Sequence, residues 1–326
     1  MIIPNYFENM NILRHNTTPE RAYYIPASER MENLAEHREK SDRFQLLNGE
    51  WRFFYHPSVR ELDEQFYEEG YDNNSFDVIP VPSVWQNYGY DNHQYTNHRY
   101  PFPVEPPYLP KEIPCGAYLH DFEYCKDEEA PEVYLNFEGV DSCCYVWLNG
   151  EYVGYDEVSH STSEFCVTDK IKEGRNTLAV LVLKWCKGTY FEDQDKFRTS
   201  GIFRDVYLLK RPKNCIRDYF VTTVVEEERA NVQINVSYIG NVVPTEITIL
   251  DDKDEVVATA YACDYADENY SQQVKMEIVS PILWNPEVPY LYTMIFKTPG
   301  EVITEQLGIR EIHVSDNRVF VNGQPI

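Results

Sequence analysis

Residues 117–209 carry a succession of short β-forming segments, with turns between them and no helical periodicity. The segments span residues 118–124, 133–137, 144–148, 152–155, 164–167, 178–185 and 206–209. Turn pairs such as Asn149-Gly150 and Glu173-Gly174 separate them. Many short strands without intervening helices form antiparallel sheets, and two packed sheets of this size make a jelly roll. The pattern therefore predicts an all-β jelly-roll domain.

A second set of strand-like segments follows the dipeptide Arg211-Pro212. It covers residues 219–225, 232–238, 246–250, 256–261, 273–279, 292–297 and 302–308. This number of strands in such a length is typical of an immunoglobulin-like β-sandwich, here without its disulfide. A chain of 326 residues suits two such domains. We expect an N-terminal arm (1–40), the jelly roll (41–212), the immunoglobulin-like domain (213–312) and a short last segment (313–326).

The segments before the jelly-roll strands carry weaker signals. Residues 28–43 are the one helix candidate of the arm, which otherwise reads as extended chain. Asn48-Gly49 predicts a tight turn before a strand at residues 51–55. Between Pro80 and Pro114 lie six more prolines, a density that forbids a central strand or helix and predicts a long, semi-rigid loop.

The loop after the segment at 178–185 holds the main candidate site. Glu192, Asp193 and Asp195 lie beyond a strand end, where functional groups are usually presented. Carboxylates accept hydrogen bonds from hydroxyls and aromatic faces cover sugar C–H groups, so the cluster suits a polyhydroxylated ligand or a hard cation. The alternative is a solvated acidic loop without a ligand. The flanking rings and the arginines able to pair with the acids are Tyr190, Phe191, Phe197, Arg198 and Arg204.

Composition argues against several other classes of protein. The chain has 29 basic and 54 acidic residues, a net charge of −25, which disfavours nucleic acid or an anionic membrane as partner. No apolar run has the length of a membrane span, and residues 1–6 lack the regions of a signal peptide, so we expect a cytoplasmic protein.

The cysteines and histidines show no catalytic or metal-binding pattern. The 8 cysteines lack metal-site spacing and are expected to be reduced and structural. The adjacent Cys143 and Cys144 should face opposite sides of a sheet. The 8 histidines are scattered, although His93 and His98 lie in the proline-rich loop and could contact a ligand there. The sequence contains no nucleophile elbow and no phosphate-binding glycine loop.

Two sequence blocks carry a family resemblance. Residues 190–209, YFEDQDKFRTSGIFRDVYLL, closely resemble a signature of the β-galactosidases of glycoside hydrolase family 2, the large multidomain bacterial enzymes. Residues 81–100, VPSVWQNYGYDNHQYTNHRY, are similar to the family segment that runs from a Pro-Ser-x-Trp-Gln turn to a Tyr-Thr-Asn triplet. Further matches follow in family order: LNGEWRF at 47–53, FEGVD at 137–141, WLNG at 147–150, GY at 154–155, LW at 283–284 and PYLY at 289–292.

The resemblance implies a galactose-binding-like jelly roll, an immunoglobulin-like spacer and then a catalytic (β/α)₈ barrel, of which residues 313–326 would be the start and the rest is missing here. The two glutamates of the retaining mechanism would belong to that barrel, so we expect no catalytic residue and no hydrolase activity in this chain alone. The resemblance also implies that Asp195 binds sugar hydroxyls and a sodium ion, with further sodium ligands from the barrel. Asn97 would line the same pocket. A magnesium requirement is implied without placeable ligands, and the full-length protein is expected to be a homo-oligomer acting on galactosides.

Two other interpretations stay open. The chain could be a self-contained carbohydrate-binding module, which would bind sugar without the barrel. It could also belong to another family 2 enzyme, a β-glucuronidase or β-mannosidase, which would share the Ser-Gly-Ile-Phe-Arg run at 200–204 and the domain order. The Tyr-Thr-Asn triplet at 95–97 and the Glu-Asp-Gln-Asp cluster at 192–195 favour the β-galactosidase.

Overall fold

The structure, a computed structural model, describes residues 2–31, 34, 37–97, 99–192, 195–226, 228–262 and 271–326. The chain divides into two compact units. The first comprises Met1–Glu20, Gln45–Glu128 and Glu132–Leu209. The second comprises Arg21–Phe44, Glu129–Pro131 and Lys210–Ile326. Residues 1–20 thus group with the first unit, and residues 21–44 group with the second.

Nearly all regular structure in the described residues is β-strand, which confirms the predicted all-β class. The first fourteen strands are β1 (Arg14–His15), β2 (Pro26–Ala27), β3 (Phe44–Leu46), β4 (Gly49–His56), β5 (Asp77–Val81), β6 (Cys115–Tyr124), β7 (Glu132–Phe137), β8 (Val140–Asp141), β9 (Cys143–Leu148), β10 (Glu151–Asp156), β11 (Ser163–Cys166), β12 (Gly174–Leu183), β13 (Gly201–Ile202) and β14 (Val206–Arg211).

Ten more strands follow along the chain, and three short 3₁₀ helices interrupt the connections. The strands are β15 (Cys215–Glu226), β16 (Arg229–Ile239), β17 (Thr245–Leu250), β18 (Val256–Ala262), β19 (Ser271–Val279), β20 (Tyr292–Lys297), β21 (Val302–Leu307), β22 (Ile312–Ser315), β23 (Arg318–Val321) and β24 (Gln324–Pro325). The 3₁₀ helices are Arg38–Lys40, Trp85–Tyr88 and Lys187–Tyr190.

The first unit is the predicted jelly roll, built on two antiparallel sheets. A seven-stranded sheet has the order β1-β10-β9-β12-β6-β4-β5, and a four-stranded sheet has the order β11-β7-β14-β3. β8 and β13 form a separate two-stranded ladder beside the site described below. The side chains between the large sheets form one hydrophobic core, to which Leu135, Phe137 and Phe165 contribute from the smaller sheet.

The seven-stranded sheet is buried on both faces, because the two-residue period of β12 supplies apolar side chains to each. Leu178 and Val180 pack into the core between the sheets, whereas Ala179 and Leu181 pack on the outer face. The N-terminal segment and the loops that follow β4 and β5 cover that outer face through Ile3, Phe7, Val59, Leu62, Phe66, Phe102 and Ile113. Cys144 lies in the inner core and Cys143 in the outer one, which confirms that they face opposite sides.

The predicted tight turn at Asn48-Gly49 lies at a crossover between the two sheets. β3 belongs to the four-stranded sheet and β4 to the seven-stranded one, so the two strands do not pair. The Asn48 side chain holds the crossover, since its Oδ1 accepts from the Val206 backbone N–H at 3.0 Å and its Nδ2 donates to Asp205 at 2.8 Å. A local turn signal does not report which sheet the next strand joins.

The proline-rich stretch contains one strand at its start, and that strand lies at a sheet edge. β5 includes Pro80 and pairs only with β4. Proline has no backbone N–H to donate, so an edge position is where a sheet tolerates it. The 3₁₀ helix Trp85–Tyr88 follows, and the residues that the structure describes between 89 and 114 are otherwise loop.

The second unit is the predicted immunoglobulin-like sandwich. Its sheets have the orders β15-β16-β19 and β18-β17-β20-β21-β2. β16 shows why they pack: Ala230, Val232, Ile234 and Val236 alternate along it, and all are buried in the core between the sheets. β22, β23 and β24 form a separate small sheet. Of the helix candidate at 28–43, the structure gives the 3₁₀ helix Arg38–Lys40, and residues 32, 33, 35 and 36 lie outside the described residues.

Candidate functional site

Two loops of the first unit, far apart in sequence, are joined by backbone pairing at the predicted site. Tyr95 and Phe197 form an isolated antiparallel β-bridge. Next to it, the Arg198 backbone N–H donates to the Gln94 carbonyl at 2.7 Å. The buried Arg198 side chain then reaches Thr96, donating to its hydroxyl at 3.3 Å and to its carbonyl at 3.4 Å. The proline-rich loop and the acidic loop therefore form one structural element.

A second junction fixes the bases of both loops. The Ser83 N–H donates to the Ile202 carbonyl at 2.7 Å, and the Trp85 N–H donates to the Ser200 carbonyl at 3.0 Å. Gln86 completes it by accepting from the Ser200 N–H at 3.0 Å. Gly201 permits this contact: its φ is +141°, and a Cβ there would lie 2.6 Å from the Ser83 carbonyl oxygen. The two sequence blocks that carried the family resemblance thus pack directly on each other.

Asn97 and Asp195, the two residues predicted from the resemblance, meet at the hydroxyl of Tyr95. The Tyr95 hydroxyl donates a short hydrogen bond to Asp195 Oδ1, and this bond raises the pKa of the phenol. The nearby Asn97 side chain has the opposite, lowering effect on the pKa of the same hydroxyl. All three side chains are exposed. Asn97, Tyr95 and Asp195 thus form one solvent-facing polar cluster.

Tyr95 itself was quoted in the sequence motif but not assigned a role. The sequence around Tyr95 could not show that it contacts Asp195, because 100 residues separate the two. Its ring also packs near Phe197, with 5.7 Å between centroids, and His93 lies at 6.5 Å from the same Phe197 ring. Phe191 and Phe197 are 75% and 62% exposed, and the Phe197 ring lies beside Tyr95, the hydrogen-bond partner of the carboxylate. His98 lies outside the described residues.

The other described acid of the cluster, Glu192, has a different hydrogen-bond partner. Glu192 accepts a hydrogen bond from Ser159 at 2.5 Å, and that hydroxyl also contacts His160 Nδ1 at 2.8 Å. Asp193 lies outside the described residues. Asp195 is therefore the one described carboxylate of the three that faces Tyr95 and Asn97. Each described acid therefore has a distinct hydrogen-bond partner.

Two residues predicted to frame the acids have other roles. Tyr190 is buried at 6% exposure, and its hydroxyl donates to the Tyr108 carbonyl at 2.5 Å. Its ring packs against Phe102 with 5.4 Å between centroids, so it is a core residue and presents no face to a sugar. Arg204 donates to backbone carbonyls at 3.3 and 3.5 Å instead of pairing with the acids.

The metal predictions can be compared with the donor atoms that the structure places here. The oxygens of Asp195 and Asn97 are hard donors suited to sodium, but they are fewer than such an ion requires. Among the residues that the structure describes, no three His, Cys, Asp or Glu side chains group as a metal site. The site thus fits a share of a sodium shell, and we assign no magnesium ligand. Within the same residues, no helix has the length and apolar character needed to cross a bilayer.

The fold is a two-domain, all-β arrangement of a jelly roll followed by an immunoglobulin-like sandwich. A family model described as "Glycosyl hydrolases family 2, sugar binding domain" matches residues 44–212, and a second, "Glycosyl hydrolases family 2", matches residues 214–310. The chain belongs to glycoside hydrolase family 2, which confirms the resemblance.

Curated relatives agree with this family. A β-galactosidase of Actinobacillus pleuropneumoniae is 42% identical over 328 residues, which cover 100% of this chain and 31% of that protein. A β-galactosidase of Staphylococcus xylosus is 39% identical over 329 residues, covering 100% of this chain and 32% of that protein. The chain therefore spans about a third of the length of these relatives, and it matches their N-terminal part.

Solved structures share the fold at lower identity. A β-glucuronidase from an uncultured Clostridium sp. superposes with a TM-score of 0.66 at 21% identity, covering 86% of this chain and 47% of that one. A Bifidobacterium dentium β-glucuronidase gives 0.69 at 18% identity, covering 88% and 51%. At this level of identity the likeness concerns the fold alone.

Proposed function

We propose that this chain supplies part of the sugar-binding site of a β-galactosidase that hydrolyses terminal β-D-galactosyl bonds with retention of configuration. The observation that carries the proposal is the joining of Asn97 and Asp195 at the Tyr95 hydroxyl on an exposed surface. The curated relatives named β-galactosidase support the substrate class. The homo-oligomeric state stays a prediction.

Each residue of the cluster has a definite role in this proposal. The Asp195 carboxylate accepts hydrogen bonds from galactosyl hydroxyls, and its free oxygen lone pairs serve as one ligand of a sodium ion. A bound sodium ion would supply positive charge that fixes a sugar hydroxyl through its oxygen. The Asn97 amide contributes a second polar contact, and the Phe197 ring covers an apolar sugar face. Tyr95 holds Asp195 and Asn97 in a fixed relation.

The bond-breaking step is assigned to groups outside this chain. In retaining glycosidases, one carboxyl protonates the leaving oxygen while a second, about 5–5.5 Å away, attacks the sugar carbon, and water then hydrolyses the glycosyl-enzyme. Asp195 is engaged by Tyr95 and serves binding in this proposal, so it takes neither role. We accordingly expect the 326-residue chain to be inactive alone. A cytoplasmic location is also proposed, supported by the free thiols of the described cysteines.

The test is hydrolysis of a chromogenic β-galactoside by this chain and by the complete product of its gene. We expect turnover by the complete product alone, and a loss of at least tenfold in kcat/KM for Asp195→Asn, whose amide offers one fewer acceptor and no charge. Glu226→Gln, an exposed change on β15, is the matched control and should leave kcat/KM unchanged. Cleavage of a β-glucuronide or β-mannoside instead would refute the substrate class. Sugar binding by this chain alone in calorimetry would favour the binding module.

A further inference from the structure

The acidic loop is attached to strand β8 at two points. At its far end, Gly201 pairs with Asp141 in the ladder between β13 and β8. In its middle, Lys196 Nζ contacts Asp141 Oδ2 at 2.8 Å. One residue of β8 thus holds both ends of the six-residue segment that follows Asp195. Such double attachment limits how far the loop can move.

Asp141 is well placed to act as this anchor. Its side chain is 12% exposed and that of Lys196 is 25% exposed, so water screens the ion pair less than it screens a pair on the open surface. The second carboxylate oxygen, Oδ1, accepts from the Ser142 hydroxyl at 3.2 Å. The same hydroxyl lies 2.9 Å from the Lys184 carbonyl, the alternative acceptor of its single proton, and so links the anchor to the end of β12.

Lys196 directly follows Asp195 in the chain, and the two side chains have different partners. The Lys196 ammonium pairs with the Asp141 carboxylate, while the Asp195 carboxylate accepts a hydrogen bond from the Tyr95 hydroxyl. The ion pair therefore fixes the backbone from which the Asp195 carboxylate projects. We propose that Lys196 and Asp141 form a positioning pair for Asp195, an inference that rests on the proposed binding role of Asp195.

A direct electrostatic role for Lys196 would have the opposite sign. A free ammonium beside a cation-binding carboxylate repels the cation, so its removal would tighten sodium binding. A positioning role means that its removal disorders the carboxylate and weakens binding. Lys196→Met, which keeps the length and removes the charge, separates the two, and Lys196→Arg should restore the pairing.

The first test uses the 326-residue chain and needs no enzyme activity. Amide hydrogen exchange is measured on peptides that cover residues 190–200. We expect Lys196→Met and Asp141→Asn each to accelerate exchange there about fivefold or more, the double variant to add nothing further, and Lys196→Arg to match wild type. Lys172→Met, which breaks an exposed ion pair with Glu69, is the control and should leave this segment unchanged. Unchanged exchange in both single variants would overturn the proposal.

The second test measures sodium and galactoside dependence in the complete gene product. We expect Lys196→Met to raise the half-saturating sodium concentration and KM about fivefold, with a smaller change in kcat and a melting temperature like that of the control. A lower half-saturating sodium concentration would assign Lys196 the direct charge role and refute positioning. If no variant hydrolyses galactosides, the proposed function fails, while the exchange experiment still decides whether the pair orders the loop.

Discussion

Arg211 and Glu301 of the second unit form a fully buried ion pair whose disruption should be costly. Arg211 Nε and Nη2 each donate to the Glu301 carboxylate at 2.9 Å, a two-pronged geometry. The remaining guanidinium hydrogens reach Tyr24 at 3.0 Å and the Ile216 carbonyl at 2.6 Å. Glu301 also accepts from the Ile216 N–H at 3.0 Å. The two residues are 2% and 1% exposed, so every one of these bonds is shielded from water.

Glu301→Gln should destabilise the second unit by about 3 kcal/mol. Removing one partner of a buried ion pair costs about 3–5 kcal/mol, because the other charge stays buried without compensation. The lower end applies here because the glutamine amide oxygen still accepts one hydrogen bond from Arg211. Domains are stable by only about 5–15 kcal/mol, so the loss is a large fraction of the total. Asp254→Asn breaks an exposed pair with Arg30 and should cost less than about 1 kcal/mol.

The assay is urea unfolding of the 326-residue chain, read by hydrogen exchange in peptides from β16 so that the second unit alone is reported. A double variant tests whether the uncompensated buried charge causes the loss. Arg211→Met with Glu301→Leu replaces both charges by apolar residues and so leaves no charge without a partner. The double variant should therefore lose less stability than Glu301→Gln. A Glu301→Gln loss no larger than that of Asp254→Asn would refute the reasoning, as would a double variant less stable than the single one.

Two further predictions concern one titrating group and one glycine. Burial raises the pKa of Glu305 to about 7, against a partial offset from its hydrogen bond with Tyr219. The folded state then holds this proton more tightly than the unfolded chain, so the second unit should lose about 1–2 kcal/mol, discounted for partial exposure, as pH rises from about 4.5 to about 7. Urea midpoints measured at pH 5 and pH 8 should differ less in Glu305→Gln than in the wild type. An equal difference in both proteins would contradict the prediction. Gly201→Ala should cost the first unit about 1–3 kcal/mol, because a Cβ would lie 2.6 Å from the Ser83 carbonyl and the φ of +141° disfavours alanine. The control Gly174→Ala, with φ +83° and no atom closer than 3.8 Å, should cost less when the thermal melting of the two variants is compared.

The long strands could be read from the sequence because their pattern follows from burial. β12 has an unbroken apolar run at 178–183 and β16 alternates apolar residues along its eleven positions, which is enough to identify a strand before its partners are known. β1 and β2 are two residues long and were not predicted. Such strands exist because a partner strand offers hydrogen bonds at that point, and no local pattern encodes that. For the same reason, the turn signal at Asn48-Gly49 does not reveal that β3 and β4 belong to different sheets.

The site was predictable only where a motif identified it. Asp195 and Asn97 were assigned from the family resemblance, and the structure brings them together without testing their roles. Tyr190 was expected to present an aromatic face because tyrosine suits both cores and sugar surfaces, and composition cannot separate these uses. Tyr95 and Asp141 act through partners about 100 and 55 residues away, so their contacts require the fold.

The distribution of burial around Asp195 argues that this surface is organised for a ligand. Arg198 is buried and fixes the loop, and the Lys196–Asp141 pair is mostly shielded. The groups that these anchors hold in place, Tyr95 and Phe197 among them, are more than half exposed. A loop that served stability alone would bury its aromatic rings, because each contributes about 1.5–3 kcal/mol when it leaves water. Under the proposed function, the exposed rings and the carboxylate on this buried, ion-paired base would form a binding surface with its polar contacts fixed in advance, which is the arrangement that lowers the entropic cost of binding a sugar.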